Sequence, residues 1–142
     1  MNRRRCIGIS AVLLLAALPR LAAADGAIAV GVPSSVKQDG YAYGRITNSP
    51  SEAVASEHAL TNCRSAKDAT PVARDLCLVV MTFQKQCVAL ALDPQAGTPG
   101  AGWAVAPDQK AAELQALAQC IATAGPGRRE SCQISDSACD GD

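Results

Sequence analysis

The sequence is poor in the side chains that most active sites use. Of 142 residues, four are aromatic and one is histidine. Catalysis needs a nucleophile beside a base, a pair of acids, or a metal. His58 lies five residues before the nearest cysteine, Cys63, which is about 140° around a helix, so the two do not share a face. We therefore expect a protein that is not an enzyme, with His58 on the surface; the alternative is an enzyme of an unrecognised type.

Spacing typical of metal and cofactor sites is also missing. The chain has no C-x-x-C pair, and its glycines form neither G-x-G-x-x-G nor a P-loop. The C-terminal acids Asp136, Asp140 and Asp142 are too loosely spaced for a calcium loop, so we interpret them as a soluble acidic tail. Arg128 is interpreted as part of a solvated loop tip. No metal, cofactor or catalytic residue is predicted.

The longest uncharged apolar stretch, Ile7–Leu18, has 12 residues, whereas a membrane-spanning helix needs roughly 20. It follows the three arginines at 3–5 and precedes the small residues Ala22–Ala24. This order is typical of a cleavable signal peptide over residues 1–24, with the mature chain beginning at Asp25. We expect a periplasmic or extracellular protein without a membrane span.

The charge balance of the mature chain excludes two classes of partner. Residues 1–24 carry four arginines and no acid, so the remainder has 9 Lys and Arg against 13 Asp and Glu, a formal charge of −4. Nucleic acids and anionic lipid surfaces both attract positively charged patches. A protein partner is therefore favoured.

Cysteine is the residue type whose count is most informative in the mature chain. Of the seven cysteines, one lies in the predicted signal peptide and six remain. An even number in a small exported domain indicates disulfides rather than a metal site. The six are Cys63, Cys77, Cys87, Cys120, Cys132 and Cys139.

The chain contains an internal repeat. Residues Pro50–Cys63 and Pro107–Cys120 align without a gap at an offset of 57, and each reads as a helix with a face of small residues spaced four apart. Each helix follows two short β-like segments and precedes a third. The unit strand–strand–helix–strand therefore occurs twice, at about 26–85 and 86–139. We predict a single α+β domain over 25–142, with an antiparallel sheet, two helices on one face of it, and disulfide staples.

The repeat also predicts the disulfide pairing among 15 connectivities that six cysteines allow. In each repeat, a cysteine at the end of the helix precedes another at the start of the next strand, and a third follows that strand. The predicted bonds are Cys63–Cys77, Cys120–Cys132 and Cys87–Cys139.

Alternation along the strands predicts a surface for binding. Cys77 must face the helix, and alternate residues then share its face: Val79, Met81 and Phe83. The opposite face would carry Leu78 and Val80 with three aromatic residues, if Trp103 takes the place of Tyr43 in the second repeat. This candidate interface is Tyr41, Tyr43, Trp103, Leu78 and Val80. If it is open, self-association into a homodimer is its simplest use; the alternative is that the sheet curls and buries these aromatics as core.

The motifs, in their order, resemble a bacterial exported family called domain of unknown function 4189. They are GAIAV at 26–30, GYAYG at 40–44, the A-x-x-x-A-L-x-x-C helices, CLVV at 77–80, CVALA at 87–91, GAGWA at 100–104 and the cysteines at 132 and 139. The resemblance implies export and supplies no catalytic residue.

Together these features predict an exported, disulfide-bonded protein-binding module of the inhibitor or immunity kind. Its binding element would be the candidate interface or the loops at 33–39 and 93–99. A secreted host-directed effector is the alternative that the residues leave open.

If the signal peptide is removed as predicted, the exported protein begins at Asp25. Intact-mass and N-terminal analysis of the periplasmic or culture fraction is expected to find a chain lacking residues 1–24. Recovery of a chain that begins at Met1 in those fractions would contradict the prediction.

Overall fold

A computed structural model describes residues 25–95 and 97–141. The predicted signal peptide, residues 1–24, lies outside the described residues. The elements in chain order are β1 (Asp25–Gly31), α1 (Val36–Asp39), β2 (Ala42–Ser49), α2 (Glu52–Arg64), α3 (Pro71–Asp75), β3 (Leu78–Phe83), β4 (Cys87–Leu92), β5 (Ala101–Ala106), α4 (Gln109–Thr123), a 3₁₀ turn (Arg129–Ser131) and β6 (Gln133–Cys139). The strand–strand–helix–strand unit thus occurs twice, as β1-β2-α2-β3 and β4-β5-α4-β6.

The strands form two antiparallel sheets of three, in the orders β2-β1-β3 and β5-β4-β6. The α+β class and the antiparallel pairing are confirmed. The division into two sheets corrects the expectation of one sheet with both helices on one face. The reason is that each central strand is apolar on both faces, so a helix alone cannot cover it.

The layers follow the order helix, sheet, sheet, helix. Helix α2 covers the first sheet through Ala55 and Ala59, and α4 covers the second through Ala112 and Ala116. A third cluster fills the space between the sheets. Its buried members are Ile28, Val30, Phe83 and Val88, against which Tyr43, Trp103 and Val105 pack.

Two glycines let the long helices approach their sheets closely. A Cβ atom on Gly44 would lie 2.2 Å from the backbone nitrogen of Cys63, and one on Gly102 would lie 2.3 Å from the carbonyl oxygen of Ala116. The glycines hold equivalent positions, because Gly44 pairs with Ala29 and Gly102 pairs with Ala91. A side chain at either position would collide with helix backbone.

Both long helices begin with a capping side chain. The Ser51 hydroxyl accepts a hydrogen bond from the Val54 amide at 3.3 Å, and the Asp108 carboxylate accepts one from the Ala111 amide at 2.9 Å. These groups satisfy amides that the first helical turn leaves free. Helix α2 therefore starts at Glu52, two residues beyond the proline that its sequence suggests.

Three disulfides join the elements, and they are the three pairs that the repeat predicts. Cys63–Cys77 and Cys120–Cys132 each tie a long helix to the segment that follows it. Cys87–Cys139 links β4 to β6, inside the second sheet. Each bond of this kind typically contributes about 2–4 kcal/mol to stability.

Each sheet contains a register shift at an equivalent place, between Ile28 and Ala29 in the β1–β3 pair and between Leu90 and Ala91 in the β4–β6 pair. An extra residue in one strand reverses the alternation beyond it. Met81 pairs with Ile28, and Phe83 is buried between the sheets. The expectation that Met81 and Phe83 face the helix is therefore wrong, and both lie on the face between the sheets.

Candidate functional site

The pairing registers correct the equivalence assumed for Trp103. Trp103 pairs with Leu90 in the second sheet, and Arg45 pairs with Ile28 in the first. Since Ile28 and Leu90 hold equivalent positions on the central strands, Trp103 takes the place of Arg45, two residues from Tyr43. The GYAYG and GAGWA segments resemble one another in composition, but the glycines at 44 and 102 set the true register.

The predicted aromatic surface is divided between core and surface. Tyr43 and Trp103 are half-buried and pack against the cluster between the sheets, as the alternative of a buried core expects. The Tyr43 hydroxyl is buried and has no hydrogen-bond partner within residues 25–95 and 97–141. Burial, together with the negative charge of Asp136, raises the pKa of Tyr43 well above its usual value, so the phenol stays neutral. Leu78 and Val80 are exposed.

The two sides of the sheet pair have diverged. On one side Arg45 reaches across from β2 and makes a two-pronged ion pair with Asp136 of β6, with 2.8 Å between Nη2 and Oδ1. On the other side the equivalent positions hold Trp103 and Met81. An ion pair therefore bridges the two sheets on one side, whereas apolar side chains lie at the equivalent positions on the other side.

An apolar cleft of about 530 Å³ opens beside Trp103. Val32 and Val36, from the segment after β1, and Tyr41 form one wall. The other lining residues come from β5, from the proline two residues before it, and from the last turns of α4. The lining residues are Val32, Val36, Tyr41, Pro99, Ala101, Trp103, Gln119, Ala122 and Thr123.

Two polar side chains in the lining, Thr123 and Gln119, are hydrogen-bonded to backbone. The Thr123 hydroxyl accepts a hydrogen bond from the Ala101 amide at 3.0 Å and lies 2.9 Å from the Ala101 carbonyl oxygen. The Gln119 side chain accepts one from the Trp103 amide at 3.3 Å. These bonds fix β5 against α4 and leave the cleft with apolar surface to offer an occupant.

The loop that leads into the cleft is held by a buried ion pair. The Asp93 side chain is fully buried; it accepts hydrogen bonds from Arg128 Nε at 2.7 Å and from the Gln95 amide at 3.0 Å. The hydrogen bonds from Arg128 are the main cause that lowers the Asp93 pKa to about 2. Arg128 is therefore not the solvated loop tip that the sequence suggests.

The C-terminal acids are also structural, which corrects the interpretation as a soluble tail. Asp140 is buried and accepts hydrogen bonds from the amides of Asn48 at 2.7 Å and Lys85 at 3.0 Å. Both donors have positive φ angles, 58° and 52°. One carboxylate thus holds two left-handed turns of the first repeat against the end of the second. Asp142 lies outside the described residues.

Other candidates for chemistry stand apart from the cleft. His58 is exposed on α2. Within the described part of the chain, no group of three or more His, Cys, Asp or Glu side chains could hold a metal ion. In the same residues no helix is long and apolar enough to cross a membrane.

The family model described as "Domain of unknown function (DUF4189)" matches residues 26–139, which is most of the chain. No curated protein and no solved structure matches the chain.

Replacing Asp93 with asparagine is expected to lower stability at pH 7 and to flatten its dependence on acid. A carboxyl whose pKa falls on folding stabilises the fold above its unfolded pKa of about 4, and that contribution disappears as the pH falls towards 2. Denaturant unfolding of wild type and Asp93→Asn at pH 7, 4 and 2.5 measures both slopes. Equal stability losses on acidification in the two proteins would contradict this role.

Proposed function

The chain belongs to the DUF4189 family, and we propose that it is an exported, non-enzymatic module that binds a partner protein through the cleft beside Trp103. The proposal rests on the cleft, because the predicted aromatic interface and the two predicted binding loops all contribute residues to its lining. Tyr41 and Trp103 come from the aromatic set, Val36 comes from the first loop, and Pro99 comes from the second. Apolar concave sites with aromatic walls are typical anchor pockets for a partner's side chain.

The cleft is built to keep its shape before binding. The Asp93–Arg128 pair holds the second loop, and Thr123 and Gln119 hold the strand beneath it. The Cys120–Cys132 disulfide fixes the C-terminal end of α4, which lines the cleft. A preorganised site loses little conformational freedom on binding, which favours tight recognition by a small domain. Such a preorganised binding site is expected of an inhibitor or an immunity protein.

Export is supported by the disulfides and by the pattern of residues 1–24. Disulfides persist in the periplasm and outside the cell, where thiols are not kept reduced. Three bonds among six cysteines leave no free thiol in the described residues. We place the protein in the periplasm or the extracellular space.

The net negative charge of the mature chain favours a protein partner over nucleic acid. The cleft itself contributes no charged side chain to its lining. The recognised feature is therefore an apolar side chain, such as leucine, phenylalanine or methionine, that projects from the partner's surface.

Trp103 is the only tryptophan in the protein, so its fluorescence reports directly on the cleft. Peptides selected by display on the oxidised 25–142 domain are expected to carry an apolar anchor and to shift that fluorescence on binding. Ala122→Arg places a long charged side chain in the cleft from an exposed helical position. It should weaken binding about tenfold or more.

The matched control is Leu114→Arg, which adds the same side chain to an exposed position of the same helix outside the cleft. It should leave affinity unchanged. Selection that yields no binder, or binders equally sensitive to both variants, would overturn the proposed site.

A further inference from the structure

A second pocket lies beside the cleft and shares Tyr41 with it. Its volume is about 520 Å³, close to the volume of the cleft. The chain also passes directly from one site to the other in two places. Val36 and Pro99 line the cleft, and their neighbours Lys37 and Thr98 line the second pocket. The two sites are therefore adjoining compartments of one groove, with Tyr41 at the border between them.

The second pocket is polar where the cleft is apolar. Two lysines and two aspartates line it, and none of these four side chains forms an ion pair with another described residue. They are Lys37, Asp39, Lys67 and Asp68. Asp93 also contributes to the lining, but Arg128 neutralises its charge. The pocket therefore offers hydrogen-bond donors and acceptors without a net charge.

Hydrogen bonds hold the segments that surround this pocket. The Thr70 hydroxyl donates to the carbonyl oxygen of Asp39 at 2.7 Å, which ties α1 to the segment before α3. On the second loop, the Thr98 hydroxyl donates to the carbonyl oxygen of Gln95 at 2.8 Å. The same loop is anchored by the buried Asp93 carboxylate. The polar compartment is thus shaped before a partner binds, like the cleft.

We propose that the partner segment whose apolar side chain enters the cleft continues across Tyr41 into the second pocket as an extended polar stretch. An extended main chain presents one amide donor and one carbonyl acceptor at each residue. Ammonium and carboxylate groups in equal number can satisfy both, whereas a charged segment would meet a like charge there. The expected side chains are uncharged and polar, such as serine, threonine and asparagine. This inference rests on the proposed function, because it extends the same binding site.

Peptides selected from a random linear display library on the oxidised 25–142 domain are the probe. We expect them to carry a polar, uncharged stretch on one side of the apolar anchor. Their binding should shift the backbone amide NMR signals of Gly97 and Thr98 together with the indole signal of Trp103. The amide of Gly127, which lines neither compartment, is the internal control.

The double variant Lys67→Ala/Asp68→Ala removes one donor and one acceptor from exposed positions and leaves the net charge unchanged. It should raise the Kd of the selected peptides about fivefold, and it should not affect peptides shortened to the apolar anchor. The matched control is Arg129→Ala/Glu130→Ala, a neutral double change at exposed positions outside both compartments. It should leave both Kd values unchanged. Circular dichroism establishes that both variants fold.

The outcomes separate this inference from the proposed function. If Ala122→Arg weakens binding but the two double variants behave alike, the cleft binds alone and the extension is wrong. Peptides with a charged stretch in place of the polar one would also contradict it. If no peptide is selected, or if Ala122→Arg has no effect, the proposed function fails and the shared groove fails with it.

Discussion

Much of this structure depends on how closely each long helix lies on its sheet. Gly44 and Gly102 sit beneath helix backbone, with no room for a Cβ atom, and the facing helix positions are alanines and a cysteine. Such a contact leaves room only for small side chains directly beneath each helix, and the larger strand residues on that face, Ile46, Val79 and Ile134, are only partly buried. The bulky residues that are fully buried, Ile28, Val30 and Val88, meet on the opposite face, between the sheets. The four-layer arrangement follows from that separation by size.

The pseudo-twofold arrangement makes divergence between the repeats informative. Equivalent positions share backbone geometry, so a difference in side chain reflects a difference in role rather than in fold. Arg45 and Asp136 close one side of the sheet pair with an ion pair, while Trp103 and Met81 hold the equivalent positions on the other. The cleft beside Trp103 is lined by residues of both repeats, and among the described residues it has no apolar equivalent on the side that Arg45 and Asp136 bridge.

The repeat made part of this predictable from the sequence. Helices with small residues every four positions, and cysteines at matching places, indicated the two units and the three disulfides. The register shifts could not be predicted, since one extra residue near Val80 leaves no pattern that alternation detects. The second sheet could not be predicted either. It forms because both faces of β1 and β4 are buried, and short alanine-rich strands carry no pattern that indicates such burial. The position predicted for Trp103 was wrong, because the GYAYG and GAGWA segments match in composition, whereas the buried glycine in each segment sets the register.

The polar anchors escaped prediction for a different reason. Asp93 and Arg128 are 35 residues apart, and Asp140 binds amides of Asn48 and Lys85 from the other repeat. No local spacing connects such residues. They also lie in segments rich in glycine, proline or acids, which resemble solvated loops and tails. These residues meet their partners only when the sheets have brought distant parts of the chain together. The sequence therefore predicted two loops and an aromatic face as separate binding elements, and not the cleft that they form.

The central claim is that close contact between helix and sheet through the two glycines determines the layers. Denaturant unfolding of Gly44→Ala and Gly102→Ala, with the disulfides intact and Ser135→Ala on the exposed edge of β6 as control, tests it most directly. A methyl group at either glycine meets backbone that cannot rotate away, so each variant should lose about 3 kcal/mol or more, while the control stays within about 0.5 kcal/mol. Glycine variants as stable as the control would contradict the account.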